Sequence, residues 1–138
     1  MAQPNSDPSD NITIVQRIYK AFGERDIPRV LSFLDAGVEW GEPANPHNPS
    51  GGTRYGHEGF LNWLKIGQET EEILILEPRQ YLANVDTVAV VGYTKCRAKA
   101  TGKTYDTDFV HVVTFKDGKV TKFREFFDTF AAAEAFQT

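Results

Sequence analysis

The chain has 138 residues, of which 41% are hydrophobic and 25% charged, a balance typical of one globular domain. Its formal net charge is −4 and no segment concentrates lysine and arginine strongly, so we expect no nucleic-acid partner. No apolar run approaches the roughly 20 residues that span a bilayer, and the N-terminus lacks the features of a secretory signal, so we expect a cytoplasmic protein with no membrane partner.

The first third of the chain predicts two helices and a short strand. Residues 1–10 are rich in Pro, Ser, Asp and Asn, which predicts a disordered tail. Asp10 is the expected N-cap of a helix over residues 11–22. A second, short helix follows with Asp26 as its cap, and a turn then leads into a strand over residues 38–40.

Residues 42–52 contain three prolines and show no periodicity, which predicts a long loop. Such a loop in a small domain is either the rim of a binding site or a surface excursion, and its composition does not distinguish the two. A third helix begins at Gly56 and directs four apolar residues toward the core. They are Phe60, Leu61, Trp63 and Leu64.

The second half of the chain changes to strand periodicity. Strand-like segments cover residues 73–83, 87–99, 105–116 and 119–128, and a short terminal helix covers residues 130–136. Asp117-Gly118 predicts a two-residue hairpin turn, and Pro78 predicts a bulge or an edge. This order predicts an α+β fold in which three N-terminal helices pack on a strongly curved antiparallel sheet to form a cone with an interior.

Alternation along the third of these strands places His111 and Phe109 on its more aromatic face, which we expect to be concave. A regular two-residue hairpin brings Arg124 opposite His111 and Phe126 opposite Phe109. A one-residue bulge near the turn brings Glu125 to His111 instead. The sequence leaves both registers open, and both give a buried histidine a charged neighbour.

A histidine beside a carboxylate in an apolar pocket can act as a general acid or base near neutral pH. The alternative is a core histidine held by a backbone carbonyl or a structural ion pair. The three histidines and Cys96, the one cysteine, lack metal-ligand spacing, so we expect no metal. Cys96 lies within a strand and is expected to be a buried, unreactive thiol. No phosphate-binding loop is present, so we expect no cofactor.

Several segments resemble the SnoaL-like branch of the nuclear transport factor two-like superfamily, which includes ketosteroid isomerases and limonene epoxide hydrolase. They are residues 15–22 (VQRIYKAF), 26–27 (DI), 38–40 (VEW), 55–59 (YGHEG), 101–102 (TG), 117–120 (DGKV) and 123–128 (FREFFD). The resemblance implies one domain over residues 11–138 with the fold of a cone, often dimeric. The fold alone assigns no activity, because it carries isomerases, cyclases, hydrolases, dehydratases and binding proteins.

The catalytic residues of these enzymes are not reproduced here. The general base of ketosteroid isomerase corresponds to about Trp40, which cannot abstract a proton, and its oxyanion-hole tyrosine to about Ile18, next to Tyr19. Its protonated aspartic acid corresponds to His111. The arginine and aspartate on one strand of limonene epoxide hydrolase correspond to Phe109 and His111. The resemblance therefore implies a polar pair in the same place, built from different residues.

We therefore expect acid/base chemistry, as in an isomerase, cyclase, dehydratase or hydrolase, on a small apolar substrate that bears a carbonyl, hydroxyl or epoxide group. His111 is the expected acid/base, oriented by Glu125 or Asp128, and Tyr19 the expected hydrogen-bond donor. The predicted ligand-binding residues are Trp40, Phe60, Trp63, Phe109, Phe126 and Arg124.

Two alternatives remain open. One is a non-catalytic binding module for a hydrophobic metabolite, and the other is a dimer whose cone is filled by its own side chains. Val110 and Val112 are expected on the outer face of the sheet, where apolar residues need cover, so we expect a homodimer.

Overall fold

The computed structural model describes residues 8–138, so most of the predicted tail over residues 1–10 lies outside the described residues. Helix α1 spans Pro8–Gly23 and therefore begins before Asp10, which lies in its first turn and is not its N-cap. A carboxylate in the first turn still interacts favourably with the helix dipole. The tail prediction is thus wrong for residues 8–10, which are helical.

The described elements follow the predicted order, with one additional strand. The helices after α1 are α2 (Ile27–Ser32), α3 (Gly56–Thr70) and α4 (Thr129–Phe136), and the strands are β1 (Leu34–Glu42), β2 (Gly52–Tyr55), β3 (Glu71–Ala83), β4 (Thr87–Ala98), β5 (Thr104–Lys116) and β6 (Lys119–Phe127). Strand β1 is longer than predicted, and β2 pairs with it although its short sequence has no clear period. Asp26 caps α2 as expected, because its carboxylate accepts from the Arg29 backbone N–H at 3.2 Å.

The six strands form one sheet in the order β2-β1-β6-β5-β4-β3. All neighbours are antiparallel except β1 and β6, whose parallel pairing departs from the predicted antiparallel sheet. Irregular pairing after Pro78 confirms the bulge predicted there. Helices α1 and α3 pack against this curved sheet, so the α+β fold predicted from the sequence is confirmed.

The concave face of the sheet forms the core. Alternate residues of β5, from Tyr105 to Phe115, are buried, which confirms the predicted inward position of His111. Phe60 on α3 is fully buried. Leu61, also expected in the core, is 39% exposed. On the outer face Val110 and Val112 are half-buried, and the homodimer stays a prediction.

The loop over residues 43–51 is packed onto the domain. Asn48 and Ser50 are buried, and the Asn45 side chain donates to the Thr129 carbonyl at 3.0 Å. The loop is therefore not a loose surface excursion. No helix within residues 8–138 has the length and apolar character needed to cross a membrane.

Candidate active site

The register of the β5–β6 hairpin positions the site. Asp117 and Gly118 both have positive φ, as a two-residue hairpin turn requires. Phe115 pairs with Val120 but Thr114 pairs with Lys122, so Thr121 is one extra residue on β6. Beyond this bulge His111 lies opposite Glu125. Of the two registers that the sequence leaves open, the structure has the bulged one.

His111 is hydrogen-bonded at both ring nitrogens. Its Nδ1 is 2.7 Å from the Tyr19 hydroxyl, and its Nε2 is 3.0 Å from Glu125 Oε2. Burial raises the pKa of Tyr19 well above its usual range, and Tyr81 and Glu125 add to this effect. The phenol therefore keeps its proton. Because a carboxylate can only accept, Nε2–H donates to Glu125, and Nδ1 accepts from the Tyr19 hydroxyl in the tautomer that satisfies all three groups. We call Tyr19, His111 and Glu125 the relay.

Aromatic packing fixes the imidazole. Phe109 stacks on His111 with 4.1 Å between ring centroids and 23° between planes, and Phe123 lies 4.9 Å away on a tilt. Gly92, the partner of Phe109 on β4, makes room for this arrangement. A Cβ at Gly92 would lie 2.4 Å from Phe109 Cζ, so the glycine allows the phenylalanine ring to lie across the strand.

A cavity of about 90 Å³ adjoins the relay, and we call it the main cavity. Its apolar wall consists of Phe22, Trp63, Ile73, Leu76, Phe123 and Phe127. Its polar wall consists of Glu42, Glu71, Glu125, His111, Tyr105, Thr94 and Cys96. Three carboxyl groups thus line one cavity, and no lysine or arginine is among its lining residues. Within residues 8–138, no three histidine, cysteine or acidic side chains are arranged to hold a metal ion.

Glu42 connects the main cavity to the loop over residues 43–51. Its carboxylate accepts from Trp63 Nε1 at 2.8 Å, Asn48 Nδ2 at 2.7 Å and Ser50 Oγ at 3.1 Å. Burial and the nearby Glu125 raise the pKa of Glu42, and the three donors partly offset that rise. The loop is therefore held to the domain by a residue of the cavity wall.

Glu71 is the second carboxyl group of the main cavity whose pKa is raised. The Tyr105 hydroxyl donates to it at 3.1 Å, but burial, followed by the charge of Glu42, raises the pKa of Glu71 to about 7. Glu71 therefore keeps its proton to a higher pH than an ordinary glutamate. Cys96 is buried as expected, and burial raises the pKa of its thiol to about 12, so it is not a nucleophile at neutral pH.

Three of the predicted site residues lie elsewhere. Asp128 caps α4, where its carboxylate accepts from the Ala131 backbone N–H at 3.1 Å, so Glu125 is the carboxylate that orients His111. The bulge at Thr121 turns Arg124 and Phe126 to the outer face. There Phe126 is 42% exposed, and the Arg124 guanidinium lies 4.8 Å from its ring centroid.

The aromatic residues predicted to line the site do not all line the same cavity. Trp63 lines the main cavity, whereas Phe109 stacks on His111 and Phe60 packs edge-on against Trp40. Trp40 lines a second, apolar cavity of about 20 Å³, which we call the small cavity. The other lining residues of the small cavity are Val15, Ile18, Tyr19, Leu34, Val113, Val120 and Phe123.

Sequence reasoning missed the cavity residues Glu42, Glu71 and Tyr105. Glu42 lies two positions after Trp40 on the same strand, and Tyr105 lies six positions before His111, so alternation alone indicates an inward side chain for both. For Glu71 we find no local signal, because it is the first residue of a strand that follows a helix directly.

A family model described as a SnoaL-like domain matches residues 15–123. The chain belongs to the SnoaL-like family. Among solved structures, an NTF2-like protein from Burkholderia xenovorans is 32% identical, with 96% of this chain and 100% of that one covered at a TM-score of 0.89. An NTF2-like protein of unknown function from Burkholderia pseudomallei is 27% identical, with 94% and 98% covered at a TM-score of 0.84.

A third similar structure is that of TerC, which was co-crystallised with polyporic acid. TerC is 32% identical to this SnoaL-like chain, with 94% of this chain and 99% of TerC covered at a TM-score of 0.83. No curated protein matches the chain.

Proposed function

We propose that this SnoaL-like chain is an enzyme that transfers protons on a small, largely apolar substrate in the main cavity. Glu125 as base and Glu71 as acid are the catalytic residues of this proposal, and His111 and Tyr19 are positioning residues. The observation that carries the proposal is the relay, which runs from a partly buried phenol through a buried imidazole to a carboxylate in the cavity wall.

Glu125 takes the role expected of His111 for a geometric reason. Both ring nitrogens of His111 are already hydrogen-bonded, so neither can meet a substrate without breaking the relay. The Glu125 side chain is 18% exposed and bonds His111 through Oε2. Its remaining acceptor capacity is therefore available to a ligand.

The simplest reaction of this type is an isomerisation. The substrate is a ketone with a C=C bond one carbon beyond the carbon next to the carbonyl group. Glu125 removes a proton from that intervening carbon, the C–H electron pair forms a C=C bond to the carbonyl carbon, and the C=O π pair takes a proton from Glu71 to give a dienol. Glu71 then takes back the O–H proton, the C=O bond re-forms, the first C=C bond moves into conjugation with it, and the electron pair of the original C=C bond takes the proton from Glu125 at the far carbon. A base paired with an acid whose pKa is raised is suited to this sequence at neutral pH.

The relatives support a small-molecule site in general terms. TerC was crystallised with polyporic acid, and it is 32% identical to this chain over nearly its whole length. We take one point from this similarity, that a chain with this fold can hold a small organic molecule.

A non-catalytic binding module is the second candidate, and the size of the main cavity favours it. The cavity measures about 90 Å³, less than the roughly 150 Å³ apolar cavity that holds benzene in an engineered protein. Both imidazole nitrogens of the relay are already hydrogen-bonded, which is also the arrangement expected of a histidine with a purely structural role.

Proton exchange in D₂O separates the two candidates. The probes are cyclopentanone, cyclohexanone and 2-cyclohexenone, with loss of the protons next to the carbonyl followed by ¹H NMR. We expect the protein to accelerate exchange and Glu125→Gln to lower that rate by roughly 10²-fold. Asp128→Asn is the matched control and should retain the rate. Equal rates for all three proteins would overturn the proposal, and bound ketones without exchange would favour the binding module.

A further inference from the structure

The Glu42 carboxylate is surrounded by donors, two of them from the loop over residues 43–51. It accepts from Asn48 Nδ2 at 2.7 Å and from Trp63 Nε1 at 2.8 Å. Ser50 Oγ lies 3.1 Å from the same carboxylate and 2.9 Å from Asn48 Oδ1, so its one proton is shared between these two acceptors. Because donors to a carboxylate favour its ionised form, the loop stabilises a negative charge on Glu42.

Glu71 lines the same cavity with weaker support for a charge. Its hydrogen-bond partners are the Tyr105 hydroxyl at 3.1 Å and the thiol of Cys96, which is a weak donor. No loop residue donates to Glu71 within the part of the chain that the structure describes. Of the two carboxyl groups, Glu71 is therefore the one that holds a proton at the lower cost.

No cation relieves the repulsion between these two carboxyl groups. The other titratable groups that face the main cavity are Cys96 on β4, Tyr105 and His111 on β5, and Glu125 on β6, while α1 and α3 contribute Phe22 and Trp63. Helix α4 packs on Tyr105 and Cys96 through Ala132 and Ala135, and its Glu134 is exposed. The nearby Lys99 donates to the Gln68 carbonyl, and Arg97 pairs with Glu72. Like charges that share a site without compensation keep a proton between them to a higher pH than either would alone.

We propose that the loop over residues 43–51 decides which of the two carboxyl groups, Glu42 or Glu71, carries the proton near neutral pH. Its donors hold the negative charge on Glu42, and that charge keeps the proton on Glu71, where the proposed reaction needs an acid. Glu42 is thus a positioning residue that acts through Glu71, and a loop displaced from Glu42 leaves the site without its acid. This inference rests on the proposed function for the role of Glu71, and it adds how that role is regulated.

Carbon-13 NMR titration of the glutamate carboxyl groups tests the assignment without any substrate. Glu→Gln variants assign the two resonances, which are then followed from mildly acidic to alkaline pH. We expect Glu42 to lose its proton at a lower pH than Glu71 in the wild-type protein. Glu42→Gln should lower the measured pKa of Glu71 by about one pH unit. The control Glu39→Gln removes an exposed charge from the same strand and should leave the pKa of Glu71 unchanged.

Loop variants separate the donors from the loop as a whole. Asn48→Ala removes a donor to Glu42, so it should raise the pKa of Glu42 and lower that of Glu71. The matched control Asn45→Ala frees the same loop from α4 but keeps the donors to Glu42, so both titrations should match the wild type. Ser50→Ala removes the shared hydroxyl and should act like Asn48→Ala to a smaller extent. It keeps the proposal testable if Asn48→Ala fails to fold by circular dichroism.

Three results of the titrations would overturn the proposal. They are a Glu71 that titrates below Glu42 in the wild-type protein, an Asn48→Ala variant whose two titrations match the wild type, and an Asn45→Ala variant that changes them as much as Asn48→Ala does.

The pH dependence of proton exchange in D₂O with 2-cyclohexenone is a second readout. A loss of rate at alkaline pH reports the acid, so Asn48→Ala should move that loss to lower pH, whereas a purely structural role would lower the rate equally at every pH. Unchanged titrations in Asn48→Ala beside normal exchange would refute loop control alone. The expected titrations without any exchange in the wild-type protein would refute the proposed function alone.

Discussion

His111 and Glu125 lie opposite each other on adjacent strands, with 3.0 Å between Nε2 and the carboxylate. The extra residue Thr121 creates this pairing, because without it Arg124 would occupy the position across from His111. A guanidinium has no acceptor to offer Nε2–H. One inserted residue near a turn therefore decides whether the imidazole meets a base or a cation.

Loss of the Tyr19 hydroxyl should destabilise the fold. Tyr19→Phe leaves the buried Nδ1 of His111 without its donor, and we expect the free energy of unfolding in urea to fall by about 1–3 kcal/mol. Tyr93→Phe is the control, since its hydroxyl donates to Asp106 at the surface and its removal should change little. Equal effects of the two variants would show that the Tyr19–His111 bond does not hold the relay.

The raised pKa of Glu71 should make the protein less stable as the pH rises. Its pKa is about 7 in the folded protein, against an ordinary value of 4.5, so between these values the fold keeps a proton that the unfolded chain releases. Stability contributed by the protonated form is therefore lost as the pH increases from 4.5 to 7. Glu71→Gln should exceed the wild type by about 1–3 kcal/mol at pH 8 and lose that advantage near pH 4.5.

Urea unfolding at pH 4.5, 6 and 8 measures this difference. The control is Glu72→Gln, whose surface carboxylate pairs with Arg97 and should show no such trend. A Glu71→Gln advantage that does not vary with pH would contradict the assignment.

Removal of the Glu42 carboxylate should free the loop over residues 43–51. Glu42→Ala leaves the side chains of Asn48 and Trp63 without their acceptor and leaves Ser50 Oγ with Asn48 Oδ1 alone, so we expect faster amide hydrogen exchange across the loop by mass spectrometry. Glu39→Ala on the same strand removes an exposed ion pair with Lys122 and serves as the control. Unchanged protection in Glu42→Ala would mean that other contacts hold the loop.

Gly92 should be intolerant of any side chain. In Gly92→Ala the added Cβ would lie 2.4 Å from both Phe109 Cζ and the Glu77 carbonyl oxygen, and the backbone atom cannot move aside cheaply. We expect a loss of about 1–3 kcal/mol or more in urea unfolding. Gly67→Ala, on α3 with nothing within 4 Å, should be neutral or stabilise the helix. Similar stability of the two variants would refute this account of Phe109.

Local sequence patterns predict much of the fold. Alternation along β5 predicts the inward position of His111, Asp117-Gly118 predicts the hairpin, and Asp26 predicts the start of α2. Each of these signals involves residues close in the sequence, where backbone geometry and one or two side chains decide the outcome. The parallel contact between β1 and β6 joins distant segments, and no local pattern indicates it.

The site is less predictable because single-residue shifts decide it. The bulge at Thr121 places Glu125 instead of Arg124 opposite His111, and both registers fit the same alternating sequence. The sequence makes Asp128 a candidate site carboxylate, but an aspartate immediately before a helix is also a typical N-cap, and the structure uses it so. The Glu42 carboxylate accepts hydrogen bonds from Asn48 and Ser50, and these residues lie in a loop whose conformation the sequence does not predict.

A crystal structure with 2-cyclohexenone soaked to saturation tests the central claim, that Glu125 and not His111 meets the substrate. We expect the ketone in the main cavity, with a Glu125 carboxylate oxygen about 3–3.5 Å from a carbon next to the carbonyl group and the Tyr19–His111–Glu125 hydrogen bonds intact. A His111 nitrogen turned toward the ketone, or a ketone bound outside the cavity, would contradict it.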